Sequence, residues 1–178
     1  MTVLATVRNT GTQFTAALLE QHLVRHNGLY EPPEGGDLWI SHTETDKMHR
    51  IREKCEQDGP LILTMRHPVN VAQSWIKRGK QISGWFCEMW ENLFSLKAEF
   101  EDSFWLPIDT EDRDHRLALI GERLGISLDT DWTPKGVTGN NWPYIEGMTV
   151  TEAAAYLRTL PFEQFGYVID GSNYGTNS

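Results

Sequence analysis

A short apolar strand that turns tightly into a helix occurs twice in this chain, and this repetition limits the folds open to it. Residues 1–7 have a β-branched strand pattern, and residues 12 to about 26 follow with apolar side chains at helical spacing. Residues 61–65 form a second apolar strand, and Pro68 suits the first position of the next helix. Strands that alternate with helices predict an α/β domain of three layers, with helices on both faces of a mainly parallel central sheet.

The remaining elements fit the same alternation. Strands are predicted at residues 38–41 and 104–108, helices at 90–100, 113–124 and 151–160, and loops at 27–37 and 133–147. Thr43 or Thr45 is expected to cap a polar helix that runs to about residue 57, and Asp58-Gly59-Pro60 ends it. We expect one domain over residues 1–170 and a poorly ordered tail over residues 171–178.

Size and charge narrow the class of protein. A chain of 178 residues that is 39% hydrophobic can bury the core of one domain. A net charge of −9 argues against a nucleic-acid-binding surface and weakly disfavours a heavily sulfated polysaccharide as partner. The apolar runs are too short to span a bilayer, no signal-peptide pattern is present, and Cys55 and Cys87 lack metal-ligand spacing. We expect a soluble, cytoplasmic protein that binds neither nucleic acid nor membrane.

The turn after the first strand has the character of an anion site. Residues 7–14 read Val-Arg-Asn-Thr-Gly-Thr-Gln-Phe, so backbone N–H groups and the helix dipole should converge near Gly11. Thr12 can cap the helix while its hydroxyl reaches a phosphate oxygen. The loop lacks the Gly-Lys-Ser/Thr ending of a Walker A sequence, which disfavours an ordinary ATP or GTP hydrolase. The alternative is a plain turn in which Gly11 supplies only backbone freedom and Thr12 only a cap.

A second cation-and-hydroxyl pair follows the strand at residues 61–65. Arg66 stands at the carboxyl end of this strand, where open α/β sheets bind ligands. Ser74 lies about two turns into the next helix, on its expected inward face. Together they can hold a second phosphate. The alternative is an Arg66 paired with a local carboxylate and a Ser74 bonded back to its own helix.

With these two motifs the chain resembles the sulfotransferase superfamily, which uses 3′-phosphoadenosine 5′-phosphosulfate as donor. The loop is similar to the family's Lys-Ser-Gly-Thr-Thr-like segment at Thr10, Gly11 and Thr12. The second motif is similar to its Arg-Asp-Pro segment, with Ser74 at the family spacing after Arg66. Residues 134–142, Pro-Lys-Gly-Val-Thr-Gly-Asn-Asn-Trp, are similar to a late motif, Arg-Lys-Gly followed by Gly-Asp-Trp.

The resemblance implies a P-loop-NTPase-like sulfotransferase fold and a metal-free sulfuryl transfer. The acceptor would be a hydroxyl or amine of a small molecule or carbohydrate, and the product nucleotide 3′,5′-adenosine bisphosphate. The loop would hold the 5′-phosphosulfate and the other two motifs the 3′-phosphate. The implied donor-binding residues are Arg8, Asn9, Thr10, Gly11, Thr12, Gln13, Arg66, Ser74, Lys135 and Gly136.

The resemblance also suggests a catalytic base. His42 lies where the cytosolic branch of the family has a Lys-Thr-His segment, and its ordinary pKa suits a base near neutral pH. Glu31 competes for this role, because some carbohydrate sulfotransferases use a glutamate at about that distance after the loop.

Several family cations are missing. Asn9, Ile40 and Pro134 stand where the family has two lysines and an arginine. Arg8, Lys47 and Lys135 are the cations available to compensate. Two rivals to sulfuryl transfer therefore stay open: a small-molecule kinase that uses ATP, and a non-catalytic module that binds adenosine bisphosphate.

Three further expectations concern the surroundings of this site. The chain is shorter than typical members, so a partner subunit in a homo-oligomer could complete the acceptor pocket. Of the tryptophans, Trp75, Trp85 and Trp90 could stack an adenine or sugar ring, although most should be core. The carboxylates of Asp109, Glu111 and Asp112 suit the start of a helix and are interpreted as structural.

Overall fold

The computed structural model describes residues 1–25, 38–78, 84–129 and 157–169. Its centre is a sheet of four parallel strands in the order β2-β1-β3-β4. The strands are β1 (Thr2–Thr6), β2 (Leu38–His42), β3 (Leu61–Met65) and β4 (Phe104–Pro107). The predicted strands match these within two residues at either end, so the α/β class and the parallel sheet are confirmed.

Within the described ranges, five α-helices follow or separate the strands. They are α1 (Thr12–Leu19), α2 (Met48–Asp58), α3 (Pro68–Lys77), α4 (Gly84–Glu99) and α5 (Arg113–Leu124), with short 3₁₀ helices at Thr45–Lys47 and Phe162–Phe165. Pro68 opens α3 as expected, and Gly59 follows the last residue of α2. The described ranges contain no helix with the length and apolar character needed to cross a bilayer.

Helices pack on both faces of the sheet because its strands alternate two sets of buried side chains. On one face Leu4, Ile62 and Leu106 pack against α1 and α5. On the other face Val3 and Leu63 belong to a larger core shared with α2, α3, α4 and residues 157–169. Each fully buried aliphatic side chain of this kind contributes about 1.5–3 kcal/mol, which is why the strands read as continuous apolar runs.

Two helix bounds differ from prediction. Helix α1 ends at Leu19 rather than near residue 26, because Val24 and Arg25 run beside the start of β2, where the Leu38 N–H donates to the Val24 carbonyl at 3.1 Å. Helix α4 begins at Gly84, six residues before its predicted start, because Phe86 is buried one turn ahead of Trp90.

The predicted helix caps are wrong. Thr12 is the first residue of α1 and makes no cap bond, since Gly11 takes the cap position. Neither Thr43 nor Thr45 caps α2, because a 3₁₀ turn precedes that helix and Lys47 stands at its cap position. The Thr43 hydroxyl donates instead to the Met89 carbonyl of α4 at 2.8 Å.

Candidate functional site

The carboxyl edge of the sheet collects the residues of interest. The chain passes from β1 to β2 on one side and reaches β3 on the other side, so the direction of winding reverses between β1 and β3. Ligands of open parallel sheets bind at such a switch point, outside the carboxyl ends of the strands. The loop at residues 7–11 and Arg66 flank this point, and His42 ends the neighbouring strand.

The loop after β1 is a tight turn with two left-handed residues. Asn9 has φ 69° and Gly11 has φ 91°. Thr10 holds the turn, because its hydroxyl donates to the Val7 carbonyl at 2.7 Å. The left-handed backbone of Gly11 favours glycine, and a Cβ atom there would also lie 2.2 Å from Ile108 Cδ1, so the Ile108 side chain would have to move.

The amino-terminal end of helix α1 gives this loop the character of an anion site. Its first intrahelical bond runs from the Thr15 N–H to the Gly11 carbonyl at 3.0 Å. The N–H groups that precede it have no acceptor within the helix by geometry, and no acidic residue lies in the first turn. The positive end of the helix dipole is therefore not offset by a local carboxylate. Gln13 is exposed at this end, whereas Thr10 is fully buried.

A chain of hydrogen bonds links the loop to His42. The Thr12 hydroxyl lies 2.8 Å from the Thr6 hydroxyl, which lies 3.0 Å from His42 Nδ1. Thr6 and His42 are register partners at the ends of β1 and β2, so the sheet itself sets this spacing. Thr6 is fully buried. The predicted base is thus connected to the first helical residue of the loop through a strand residue that sequence reasoning missed.

The surroundings of His42 keep its imidazole neutral. Burial and the Arg8 charge lower the pKa of His42 below its ordinary value of 6.5, and Lys47 acts in the same direction. The Glu44 charge and hydrogen bonding to the Thr6 backbone oppose this shift without reversing it. A neutral imidazole at pH 7 can accept a proton, as a general base requires.

Two predicted compensating cations are bound to a buried carboxylate. Arg8 donates from Nε to Glu44 at 2.7 Å and also from its Nη2, and Lys47 donates to the second Glu44 oxygen. The Glu44 side chain is only 8% exposed. Burial alone would raise the pKa of Glu44, but the hydrogen bonds from Lys47 and Arg8 outweigh burial and lower it. Arg8 and Lys47 therefore face a fixed negative charge.

Arg66 also has a carboxylate nearby. Its Nε lies 3.9 Å from Asp109 Oδ2, beyond hydrogen-bonding distance, so this particular ion pair is a loose one. Asp109 is better engaged elsewhere. It accepts the His67 N–H at 2.9 Å and the Tyr167 hydroxyl at 2.8 Å. Burial and Asp109 raise the pKa of the Tyr167 phenol, which therefore remains a donor.

The interpretation of Asp109 as a helix-start carboxylate is thus wrong. Helix α5 begins only at Arg113, and Asp109 instead joins the ends of β3 and β4 to residue 167. Asp109 thus lies between Tyr167, whose hydroxyl it accepts at 2.8 Å, and Arg66, whose Nε is 3.9 Å away.

Of the other predicted positions, some lie within the described residues and some lie outside them. Ser74 is half-buried on α3. Trp75 and Trp90 are core residues, whereas Trp85 is 39% exposed and lies beneath the Arg8 guanidinium, 5.4 Å from the ring centroid to Cζ. Glu31, Lys135 and Gly136 lie outside the described residues, as do residues 171–178.

A cavity of about 1000 Å³ lies at the opposite, amino edge of the sheet. Glu56, Glu99, Glu101 and Asp102 line it, so its charge repels phosphates. Cys55 also lines it, and burial followed by the charge of Glu99 raises the pKa of this thiol to about 12. The acidic lining of this cavity and the position of the switch point therefore both favour the carboxyl edge as the candidate anion site.

Sequence reasoning missed Thr6, Glu44 and Tyr167. A signal existed for Thr6, because a threonine at the end of the strand that enters a phosphate-type loop must face that loop or the helix after it. Glu44 had the weaker signal of a carboxylate two residues after His42. The Tyr167 side chain contacts Asp109 and His67, which are distant in sequence, and had no such signal.

Comparison with known proteins gives no identification. No family model, no curated protein and no solved structure matches this chain.

Proposed function

We propose that this protein binds 3′-phosphoadenosine 5′-phosphosulfate at the carboxyl edge of its sheet and transfers the sulfuryl group to a hydroxyl or amine acceptor. In this proposal the loop at residues 8–13 holds the 5′-phosphosulfate, Arg66 and Ser74 hold the 3′-phosphate, and His42 takes the proton of the acceptor. The acceptor is a small molecule or a carbohydrate.

One observation carries the proposal: two separate groups, each with a cation and hydrogen-bond donors, lie on either side of the switch point. The loop and helix α1 follow β1, and Arg66 follows the adjacent strand β3. A nucleotide with phosphates on both its 5′ and 3′ positions matches two separate groups better than a nucleoside triphosphate with one chain of phosphates. His42 adds a neutral base bonded to the loop through Thr6.

A second candidate function is nucleotide binding without transfer. Glu44 pairs with both Arg8 and Lys47, the described cations closest in sequence to the loop and to His42, and offsets one of their two positive charges. Sulfuryl transfer moves negative charge onto the leaving phosphate, and positive charge near that oxygen lowers the barrier. A loop with Asn9 in place of lysine and with Arg8 held by Glu44 supports binding more directly than turnover.

The test of the binding half is calorimetric titration of the full chain with 3′,5′-adenosine bisphosphate. The native protein is expected to bind, and Arg66→Ala to bind roughly 10- to 100-fold more weakly, as expected for loss of a hydrogen bond to a charged group. Arg52→Ala is the matched control, because Arg52 pairs with Glu99 at 2.7 Å far from the loop. Absence of binding by the native protein would refute the proposal, and tighter binding of ATP would favour a kinase.

The test of the catalytic half uses labelled donor and a broad panel of acceptors. Transfer by the native protein and its loss in His42→Ala would support catalysis. Asn9→Lys then reports on the missing cation: unchanged turnover means that another group already compensates for it. Binding of the bisphosphate without transfer to any acceptor would favour the non-catalytic module.

A further inference from the structure

The hydroxyl of Thr6 occupies the middle of a three-member hydrogen-bond chain and has only one proton to donate. It lies 2.8 Å from the Thr12 hydroxyl and 3.0 Å from His42 Nδ1. An imidazole nitrogen is either a donor or an acceptor, and the neutral ring carries one proton on Nδ1 or on Nε2. Two arrangements keep the Thr6 proton inside the chain. In a third, Thr12 and Nδ1–H both donate to Thr6, and the buried Thr6 proton is left without an acceptor among the described contacts, which is costly.

The two arrangements differ at both ends of the chain. In the inward arrangement Thr12 donates to Thr6, Thr6 donates to Nδ1, and the ring proton lies on Nε2. In the outward arrangement Nδ1–H donates to Thr6, Thr6 donates to Thr12, and the Thr12 hydroxyl proton points away from the chain. The outward arrangement leaves the Nε2 lone pair available as a base.

We propose that an anion bound at the loop selects the outward arrangement, so that occupancy of the donor site converts His42 to the tautomer with its proton on Nδ1 and a basic Nε2. This inference rests on the proposed function, since it needs an anion at the loop. Thr6 is then a positioning residue for His42, because it transmits the choice and touches neither donor nor acceptor.

An anion favours the outward arrangement because Thr12 can donate to it only in that arrangement. Hydrogen bonds to a charged acceptor are about twice as strong as those between neutral groups. Thr6 is fully buried, so water does not replace either of its bonds. Burial, with the charges of Arg8 and Lys47, outweighs the Glu44 charge and the hydrogen bond to the Thr6 backbone and lowers the pKa of His42. The ring therefore stays neutral, and its tautomer is the quantity that an anion can change.

The coupling orders the proposed reaction. With donor bound, the acceptor O–H bond breaks as its proton moves to Nε2, and the acceptor oxygen forms a bond to sulfur. The bond from sulfur to the bridging phosphate oxygen breaks, and that oxygen keeps the electron pair. Without donor, Nε2 already carries a proton and cannot take another from the acceptor while the ring stays neutral.

The tautomer of His42 is measurable by ¹⁵N NMR of the ring nitrogens in protein labelled at histidine, with His42→Gln used to assign the signals. The probes are inorganic pyrophosphate and 3′,5′-adenosine bisphosphate, each added at pH 7.5. The ratio of the Nδ1–H to the Nε2–H form is expected to rise roughly tenfold on binding, the factor for exchanging a neutral for a charged hydrogen-bond partner.

Three variants locate the coupling. Thr6→Val removes both bonds at nearly constant shape and is expected to abolish the tautomer change while anion binding persists, whereas Thr6→Ser retains the change. Thr64→Val is the matched control, because Thr64 is equally buried on the adjacent strand and contacts Thr10 rather than His42. If Thr6→Val does not fold, Thr12→Val interrupts the same chain at its half-buried end.

The outcomes separate the two proposals. Calorimetry of the same samples reports binding independently of the NMR signals. Binding without a change of tautomer in the native protein, or a change that survives in Thr6→Val or Thr12→Val, overturns the coupling and leaves the proposed function standing. No binding of either probe overturns the proposed function and the coupling with it.

Discussion

Replacing Glu44 with glutamine tests whether this carboxylate competes with a bound anion for the cations beside the loop. Glu44→Gln keeps the shape of the side chain and removes its charge. The native carboxylate is 8% exposed, while Arg8 is 35% and Lys47 29% exposed. After the change both cations can turn toward solvent or toward an anion at the loop.

The magnitudes follow from burial and charge. Breaking a fully buried ion pair costs about 3–5 kcal/mol, but Arg8 and Lys47 are each about a third exposed, so we expect Glu44→Gln to lose about 1–2 kcal/mol of the free energy of unfolding. For an anion placed about 8 Å from the Glu44 carboxylate, removing this one negative charge gains about 2 kcal/mol at an effective dielectric constant near 20, before screening by salt. The affinity for 3′,5′-adenosine bisphosphate should therefore rise about 30-fold at low salt, and by less as added salt screens the charge.

Urea unfolding and calorimetric titration measure the two effects. Glu99→Gln is the control, because Glu99 also accepts a hydrogen bond from an arginine, Arg52 Nε at 2.7 Å. Glu99 differs from Glu44 in being 38% exposed and in lying at the opposite edge of the sheet. It should change stability by less than about 1 kcal/mol and leave affinity unchanged. A folded Glu44→Gln protein that binds the bisphosphate no tighter than the native protein would show that Glu44 does not compete with the ligand.

Two other predictions concern stability. Gly11→Ala should lower the free energy of unfolding by about 1–2 kcal/mol because of the left-handed backbone, and further because the new Cβ atom contacts Ile108. Adding Ile108→Val should recover part of this loss. If the effects of the two substitutions on the free energy of urea unfolding are strictly additive, the contact is contradicted. The free energy of unfolding should also fall as the pH drops below about 6.5, because unfolded His42 takes up a proton that the folded protein refuses, and fall further below about 4.5 as Glu44 is protonated. In His42→Gln the loss of stability just below pH 6.5 should disappear. If His42→Gln and the native protein lose stability equally between pH 5 and 6.5, this role of His42 is contradicted.

The fold was largely predictable because its signals are local. The bounds of β3 and α5 agree with prediction, since an apolar run and an amphipathic spacing each lie within one segment. The start of α4 was missed because its first residues, Gly84 to Cys87, combine a glycine with aromatic side chains that also favour strands. Phe86 and Trp90 are both buried and lie four residues apart, which is a helical spacing. This spacing becomes visible only when the aromatic residues before Trp90 are read as part of the same helix.

The site was less predictable because its contacts join separate segments. The sequence indicates a loop, Arg66 and His42 at one sheet edge, and the structure places the three there. It does not indicate that Arg8 and Lys47 share Glu44, since an ion pair depends on side-chain directions that spacing alone leaves open. The Thr12 cap failed for a related reason, because a left-handed Gly11 took the cap position and turned the Thr12 hydroxyl toward Thr6.

The parallel sheet has a consequence for the entropy of ligand binding. The bonds that build this edge join residues 36, 54 and 42 positions apart in the chain: Thr6 to His42, Thr10 to Thr64, and His67 to Asp109. Bringing such distant segments together opposes folding, and strand pairing has already offset that loss before any ligand arrives. A nucleotide at this edge therefore meets backbone that is pre-organised, and little of its interaction energy is consumed in ordering the described parts of the chain.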